Sequence, residues 1–293
     1  MKTLLFLMLV VVAGPAAGVP TAPASEGARR AHFHGEQRPP AAGPRRIVSL
    51  SPAVTETLFV VGAGASVVGV TRYCDRPAEA RTRTVIGGYT DASLESIVAL
   101  APDLVIAQPS FQQRSLLDRL RDRGVPVLVV FADTIDESAD MMGTVGDVVQ
   151  HPREAHALVE RQARALAAVS GPRAPIRVVV VVGTDPLVVA GHDSFADRAV
   201  VAAGVESAIN ARDPSWPQWS LETMAARHVD VVVAAEGEAA VARLTRLLQP
   251  LGARRPRVIS APTSILMRPG PAFTDDLGTL RALLHQPPPA DAP

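Results

Sequence analysis

The sequence predicts an α/β protein of two similar lobes, each built on a parallel sheet, with a helical segment between them. Three observations predict it. The first is a repeat: Ser93-Leu94-Glu95, a short amphipathic stretch, Asp103 and the run Leu104-Val105-Ile106 recur as Ser220-Leu221-Glu222, Asp230 and Val231-Val232-Val233, with Glu222 127 positions after Glu95. Each copy reads as a serine-capped short helix with an acid in its first turn, then a buried strand. So long a spacing points to duplicated lobes, because solenoid periods are far shorter. The second is an alternation of helix-like and strand-like runs on both sides, the pattern of a sheet covered on two faces. The third is the stretch Ile135 to Val169, which offers apolar stripes of helical period and no strand.

Taken in order, Lys2, the apolar run Leu4 to Ala13 and the small residues Ala16, Ala17 and Gly18 read as a secretory signal over 1–18. No cysteine lies near the cleavage region for lipid attachment, and no later stretch is long and apolar enough to span a bilayer. Residues 19–44, rich in Pro, Ala, Gly and Arg, read as a disordered leader carrying the solvated His32 and His34. The N-terminal lobe follows over 45–134. Its strands are expected at Arg46 to Leu50, Val67 to Val70, Leu104 to Ala107 and Val127 to Phe131, and its helices at Thr55 to Val61 and Ser115 to Arg123. Gly62-Ala63-Gly64 closes a helix instead of opening one, so it is no dinucleotide fingerprint.

The interlobe helical backbone over 135–174 reads as a helix, a break at His151-Pro152, and a longer helix about two dozen Å in length. The C-terminal lobe over 175–285 is expected to hold strands at Ile176 to Val182, Val229 to Ala234 and Arg257 to Ile259. Its helices are expected at Phe195 to Ala203, Val241 to Leu251 and Thr274 to Leu284, ahead of a disordered tail over 286–293. With 29 acids against 29 bases the chain has no net charge, which argues against a nucleic-acid partner. Cys74 is the single cysteine, so no intrachain disulfide forms and it reads as a small, partly buried residue.

Catalytic motifs are missing from the sequence: no G-x-S-x-G elbow, Walker loop, H-E-x-x-H or paired-cysteine zinc spacing occurs. Loops at the carboxyl ends of the strands are where an open α/β sheet binds ligands. Those loops carry Ser51, Tyr73, Asp75 and Gly87-Gly88-Tyr89 in the first lobe. In the second they carry Asp185, His192, Asp193 and Trp216-Pro217-Gln218-Trp219. The two tyrosines and two tryptophans of the whole chain all fall there, which predicts an aromatic-walled cleft for a large, flat, partly apolar ligand.

At these residues the chain resembles the periplasmic substrate-binding proteins of ABC importers that carry vitamin B12, haem and ferric siderophores, and is most similar to the cobalamin-binding branch. The resemblance spans about residues 45–285. It is carried by Arg46 to Glu56, by Val68 to Pro77, by Gly87 through Ile106, and by Trp216 to Glu222, in this order and spacing. It implies two Rossmann-like lobes joined by a single long interlobe helix, little closure on binding, no catalysis and no resident cofactor. The implied protein is periplasmic and monomeric, with the permease subunits as partners and a small metal chelate as cargo. Of the ligand contacts, Tyr73, Tyr89 and Trp216 match positions where aromatics flank the corrin, and Arg72 and Arg268 are the expected anion contacts. Tyr89 is the metal ligand only if the cargo is haem. Glu95 and Glu222 match the two acids that dock on permease arginines, whereas Glu56, a further candidate surface acid, ranks as a helix or loop contact. Ile265-Leu266 depart from the branch, where a polar and aromatic pair is expected. The other readings are a haem or ferric-siderophore carrier, an exported enzyme of unknown reaction, and a sensor or scaffold.

Overall fold

In the computed structural model, residues 31–89, 91–108, 113–214 and 216–287 are described. The signal segment and most of the tail lie outside them. The leader does not behave as composition suggests, because its described part is ordered. Strand β1 (His32–Phe33) pairs antiparallel with the edge of the first sheet, His32 opposite Val129. Phe33 packs on the core beneath Arg38, and His34 Nε2 lies 2.9 Å from Asp118 Oδ1. A two-residue strand has no period to read, so edge pairing was invisible in the sequence.

Five parallel strands complete that sheet: β2 (Ile47–Ser49), β3 (Val67–Val70), β4 (Thr84–Val85), β5 (Leu104–Ala107) and β6 (Val127–Val129), in the spatial order β1-β6-β5-β2-β3-β4. Helix α1 (Pro52–Val60) covers one face, and α2 (Leu94–Ala99) and α3 (Arg114–Arg121) cover the other. Then α4 (Ile135–Val148) and α5 (Pro152–Val169) run between the lobes, broken at Gln150 (φ 64) just before Pro152. The close packing of α4 on α5 needs Gly146, where any Cβ would collide with that of Ala155.

The second sheet is mixed. Strand β7 (Arg177–Thr184) turns back antiparallel into β8 (Leu187–Val189) and pairs parallel with β9 (Glu206–Ser207), β10 (Val231–Ala234) lies beside it, and β11 (Arg257–Ser260) beyond. One face carries α6 (Phe195–Ala202), and the other carries α7 (Leu221–Ala226) and α8 (Glu238–Leu247). Strands β4, β8 and β9 and helix α9 (Thr263–Met267) were not anticipated, being two to five residues long. The final helix α10 (Pro271–His285) packs on α5 and α6 and also reaches α1 of the first lobe. The lobes are therefore joined twice, by α4–α5 and by α10.

The repeat extends to atomic detail. Ser93 and Ser220 cap α2 and α7 by accepting from Ser96 N and Thr223 N, each at 3.1 Å. Both helices end in a non-glycine residue of positive φ, Ala101 (42°) and His228 (51°). Asp103 accepts from the Arg45 and Arg46 amides, and Asp230 from the Arg177 amide at 2.7 Å. Arg46 and Arg177 in turn donate Nε to the last helical carbonyls, Leu100 O and Arg227 O, each at 2.9 Å. These bonds hold each short helix to the start of the neighbouring strand, which a six-residue helix needs because it is unstable alone.

Replacing Gly146 with valine should lower the urea midpoint by overpacking α4 against α5, a loss of about 1–3 kcal/mol. An unchanged midpoint would refute that close contact.

Candidate functional site

A cleft of about 890 Å³ opens between the lobes, at the carboxyl ends of the strands. From the first lobe it is lined by Ser51 after β2, Tyr73 after β3, Tyr89 after β4, Gln108 after β5 and Asp133 after β6. From the second it is lined by His192, Asp193 and Phe195 at the start of α6, by Trp216, and by Leu266 to Pro269 around the end of α9. Parallel strands that all end on one side bring these distant positions together.

The aromatic walls are uneven. Tyr73 and Trp216 are 51 % and 52 % exposed, faces left bare at the cleft mouth. Tyr89 is half-buried; its hydroxyl donates to Gln108 O at 3.1 Å, and Gln113 Nε2 donates to Tyr89 O at 2.6 Å. Burial, reinforced by nearby Asp133, pushes the Tyr89 phenol above its usual range, so at neutral pH it is a protonated donor. Ser51 is buried and donates Oγ to Gln108 Oε1 at 3.1 Å. Cys74 is also buried, and Thr55 Oγ1 donates to its Sγ.

Several expected placements are corrected. Trp219 does not face the cleft: it packs in the core beneath α7, with the Arg227 guanidinium 5.6 Å from its ring. Alternation along the strand-like segment around Gln218, which bridges to Val188, turns Trp216 and Trp219 to different sides. Glu56 makes the expected helix and loop contact and is not a surface acid: it is 4 % exposed where the lobes meet. Arg268 does line the cleft, yet it is not a free anion contact. Its Nη1 donates to Asp75 and, at 3.4 Å, to Glu56 Oε1, while Glu56 Oε2 accepts from Ala272 N at 3.3 Å. Asp75 is committed to this ion pair, outside the cleft lining. Arg72 likewise holds Asp91, at 2.7 Å. Ile265 and Leu266 are buried, and Leu266 gives the cleft an apolar wall.

Gln108, Asp133, Phe195 and Met267 were not singled out from sequence. For the first three the usable signal was positional, since each follows a strand or starts a helix beside one, whereas Met267 ends a short helix that no pattern announced.

The glutamates of the repeat occupy equivalent places. Glu95 starts α2 and Glu222 starts α7, on the sheet faces turned away from α5. Both are exposed. Glu95 is held below the usual carboxylate range by its own backbone N–H, against slight desolvation and with help from Ser93 and Arg119, the latter 3.6 Å away.

Two lobes with a ligand-sized cleft between them, at the ends of both sheets, define a binding protein. The family model for periplasmic binding proteins matches residues 47–247, and the chain belongs to that family. A vitamin B12-binding protein of Salmonella typhimurium (strain LT2) is 32 % identical over 193 residues, 65 % of this chain and 72 % of that one. A periplasmic heme-binding protein from Roseiflexus sp. RS-1 in apo form aligns with TM-score 0.71 and 27 % identity, over 83 % of this chain and 98 % of that one. A periplasmic vitamin B12-binding protein of Vibrio cholerae shares the fold, with TM-score 0.69 and 23 % identity over 83 % of this chain and 97 % of that one. The chain is thus a substrate-binding protein and not an enzyme, of the class with vitamin B12- and heme-binding members. Among the described residues no helix is long and apolar enough to cross a membrane.

Burial raises the Glu56 carboxyl above its usual range, opposed by the Arg268 charge and the Ala272 N–H. An acid raised in this way contributes stability that is whole below its unfolded pKa and lost as pH rises through the folded one. Arg268→Ala removes the opposing charge and raises it further. The variant should lose about 3 kcal/mol near neutral pH and recover part of that as the medium is acidified toward about pH 5. Denaturant midpoints across that range check it, and a pH-independent loss would contradict the assignment.

Proposed function

We propose that the protein is a periplasmic carrier that captures a corrinoid of the vitamin B12 type in the interlobe cleft and delivers it to an ABC importer. The supporting observation is the cleft itself, with Tyr73 and Trp216 bare at its mouth and Phe195 and Leu266 within. Aromatic faces bind a large planar ring by area, at low entropic cost to themselves. Tyr89 suits a hydrogen-bonding wall, its phenol raised by burial and its hydroxyl already donating to Gln108 O. The B12-binding relatives point the same way.

A haem reading is the second choice, and His192 favours it. This side chain lines the cleft with Nδ1 2.9 Å from Asp193 Oδ2, and an imidazole is a common ligand of haem iron. A ferric siderophore has no comparable support in the lining.

For the partner, Glu95 and Glu222 form the matched pair that would meet basic residues of two permease subunits. Exposed pairs of this kind set encounter rate and register more than affinity.

Titrating the mature chain with cyanocobalamin should quench tryptophan fluorescence saturably, and Trp216→Ala should weaken binding about ten-fold, one lost ring contact. No corrinoid binding at high micromolar concentration, with hemin bound instead, would replace the first reading with the second. Charge reversal at Glu95 and Glu222 should leave ligand affinity intact while lowering permease-dependent uptake. A fall in ligand affinity would contradict docking.

A further inference from the structure

We propose that the Glu56–Arg268–Asp75 cluster is a charge filter, which keeps the cleft's guanidinium occupied and so disfavours ligands with anionic arms. The inference rests on the carrier reading above and adds the ligand's charge class. Arg268 is the only Arg or Lys among the described cleft-lining residues. Its side chain is 16 % exposed, and one nitrogen, Nη1, serves both the buried Glu56 and the partly exposed Asp75. Burial would lower the Arg268 pKa, but the two carboxylates outweigh it and hold the guanidinium firmly charged.

A ligand carboxylate that sought Arg268 would have to displace Asp75 or share the cation with it. Sharing brings two like charges together, and displacement leaves Asp75 with Arg81 alone, 3.9 Å away. Elsewhere in the lining Asp133 and Asp193 are acids, Asp193 being held by Arg198 and lying beside His192. Haem presents two propionates to such a wall. A cobalamin presents a rim of neutral carboxamides, which need hydrogen-bond partners and not a cation, and a single phosphodiester against haem's two carboxylates. The cluster also ties α10 to the first lobe, so the filter is held in place by the same contact that joins the lobes.

Asp75 is the position to test, because it is partly exposed and its removal leaves Glu56 paired. Hemin and cyanocobalamin affinities are measured for the parent chain, for Asp75→Asn, and for Arg76→Ala. The last breaks a different interlobe pair, Arg76 to Asp276 at 3.3 Å, outside the lining. Asp75→Asn should raise hemin affinity about five-fold relative to cyanocobalamin, the size of one partly exposed charge interaction. That gain should vanish in high salt. Arg76→Ala should leave the ratio unchanged. An unaltered ratio in Asp75→Asn, or an equal rise in Arg76→Ala, would overturn the filter while leaving the carrier reading intact. Failure of the parent chain to bind either ligand would overturn the carrier reading, and the filter with it.

Discussion

A carboxylate buried where the two lobes meet constrains the rest of this structure. Glu56 sits on α1 of the first lobe, yet its partners, Arg268 and the Ala272 amide, belong to the second. Ion pairs of this depth add little net stability, since desolvation offsets their attraction. They do penalise any arrangement in which the partners separate. Relative lobe orientation is thereby fixed more tightly than the α4–α5 connection alone would fix it. A cleft of stable width follows, and Gly270 seated against Ala53 permits the close approach.

That constraint acts on a duplicated frame. The paired Arg–Asp bonds at Arg46–Asp103 and Arg177–Asp230 lock each short helix to its sheet by the same chemistry. Since strands in both lobes end toward the cleft, the loops that follow them converge there, while the helix starts carrying Glu95 and Glu222 fall on equivalent outer faces. The cleft-lining Tyr89 and Trp216 each stand six residues before the acid that opens the following helix, so in both lobes one loop links the cleft to the repeated helix start.

The central strands were legible because β-branched runs such as Val231-Val232-Val233 are buried on both faces and read without periodicity. The caps were legible because Ser-Leu-Glu is local chemistry. By contrast β1, β4 and β9 exist through pairing with a distant edge, and two residues carry no pattern. At the cleft, Tyr73, Tyr89 and Trp216 were identifiable by their place after strands or before a helix. Trp219, only three residues on, was not separable from Trp216, because which side of a segment faces the core depends on a partner strand. The partners of Glu56, Asp75 and Arg268 were not legible for a related reason: charged side chains look like surface or ligand contacts until their partners are known.

The sequence by itself determined the two α/β lobes, the helical segment joining them, the repeated acidic helix starts and the region where a ligand would bind. These follow from local propensity, apolar patterning and capping, which act within a few residues. Tertiary structure alone decided that Arg268 is shared by Glu56 and Asp75, that α10 crosses back to the first lobe, and that the Tyr89 hydroxyl is already engaged. Each of these depends on contacts between residues tens to hundreds of positions apart, where burial and electrostatic pairing, not sequence neighbourhood, set the outcome.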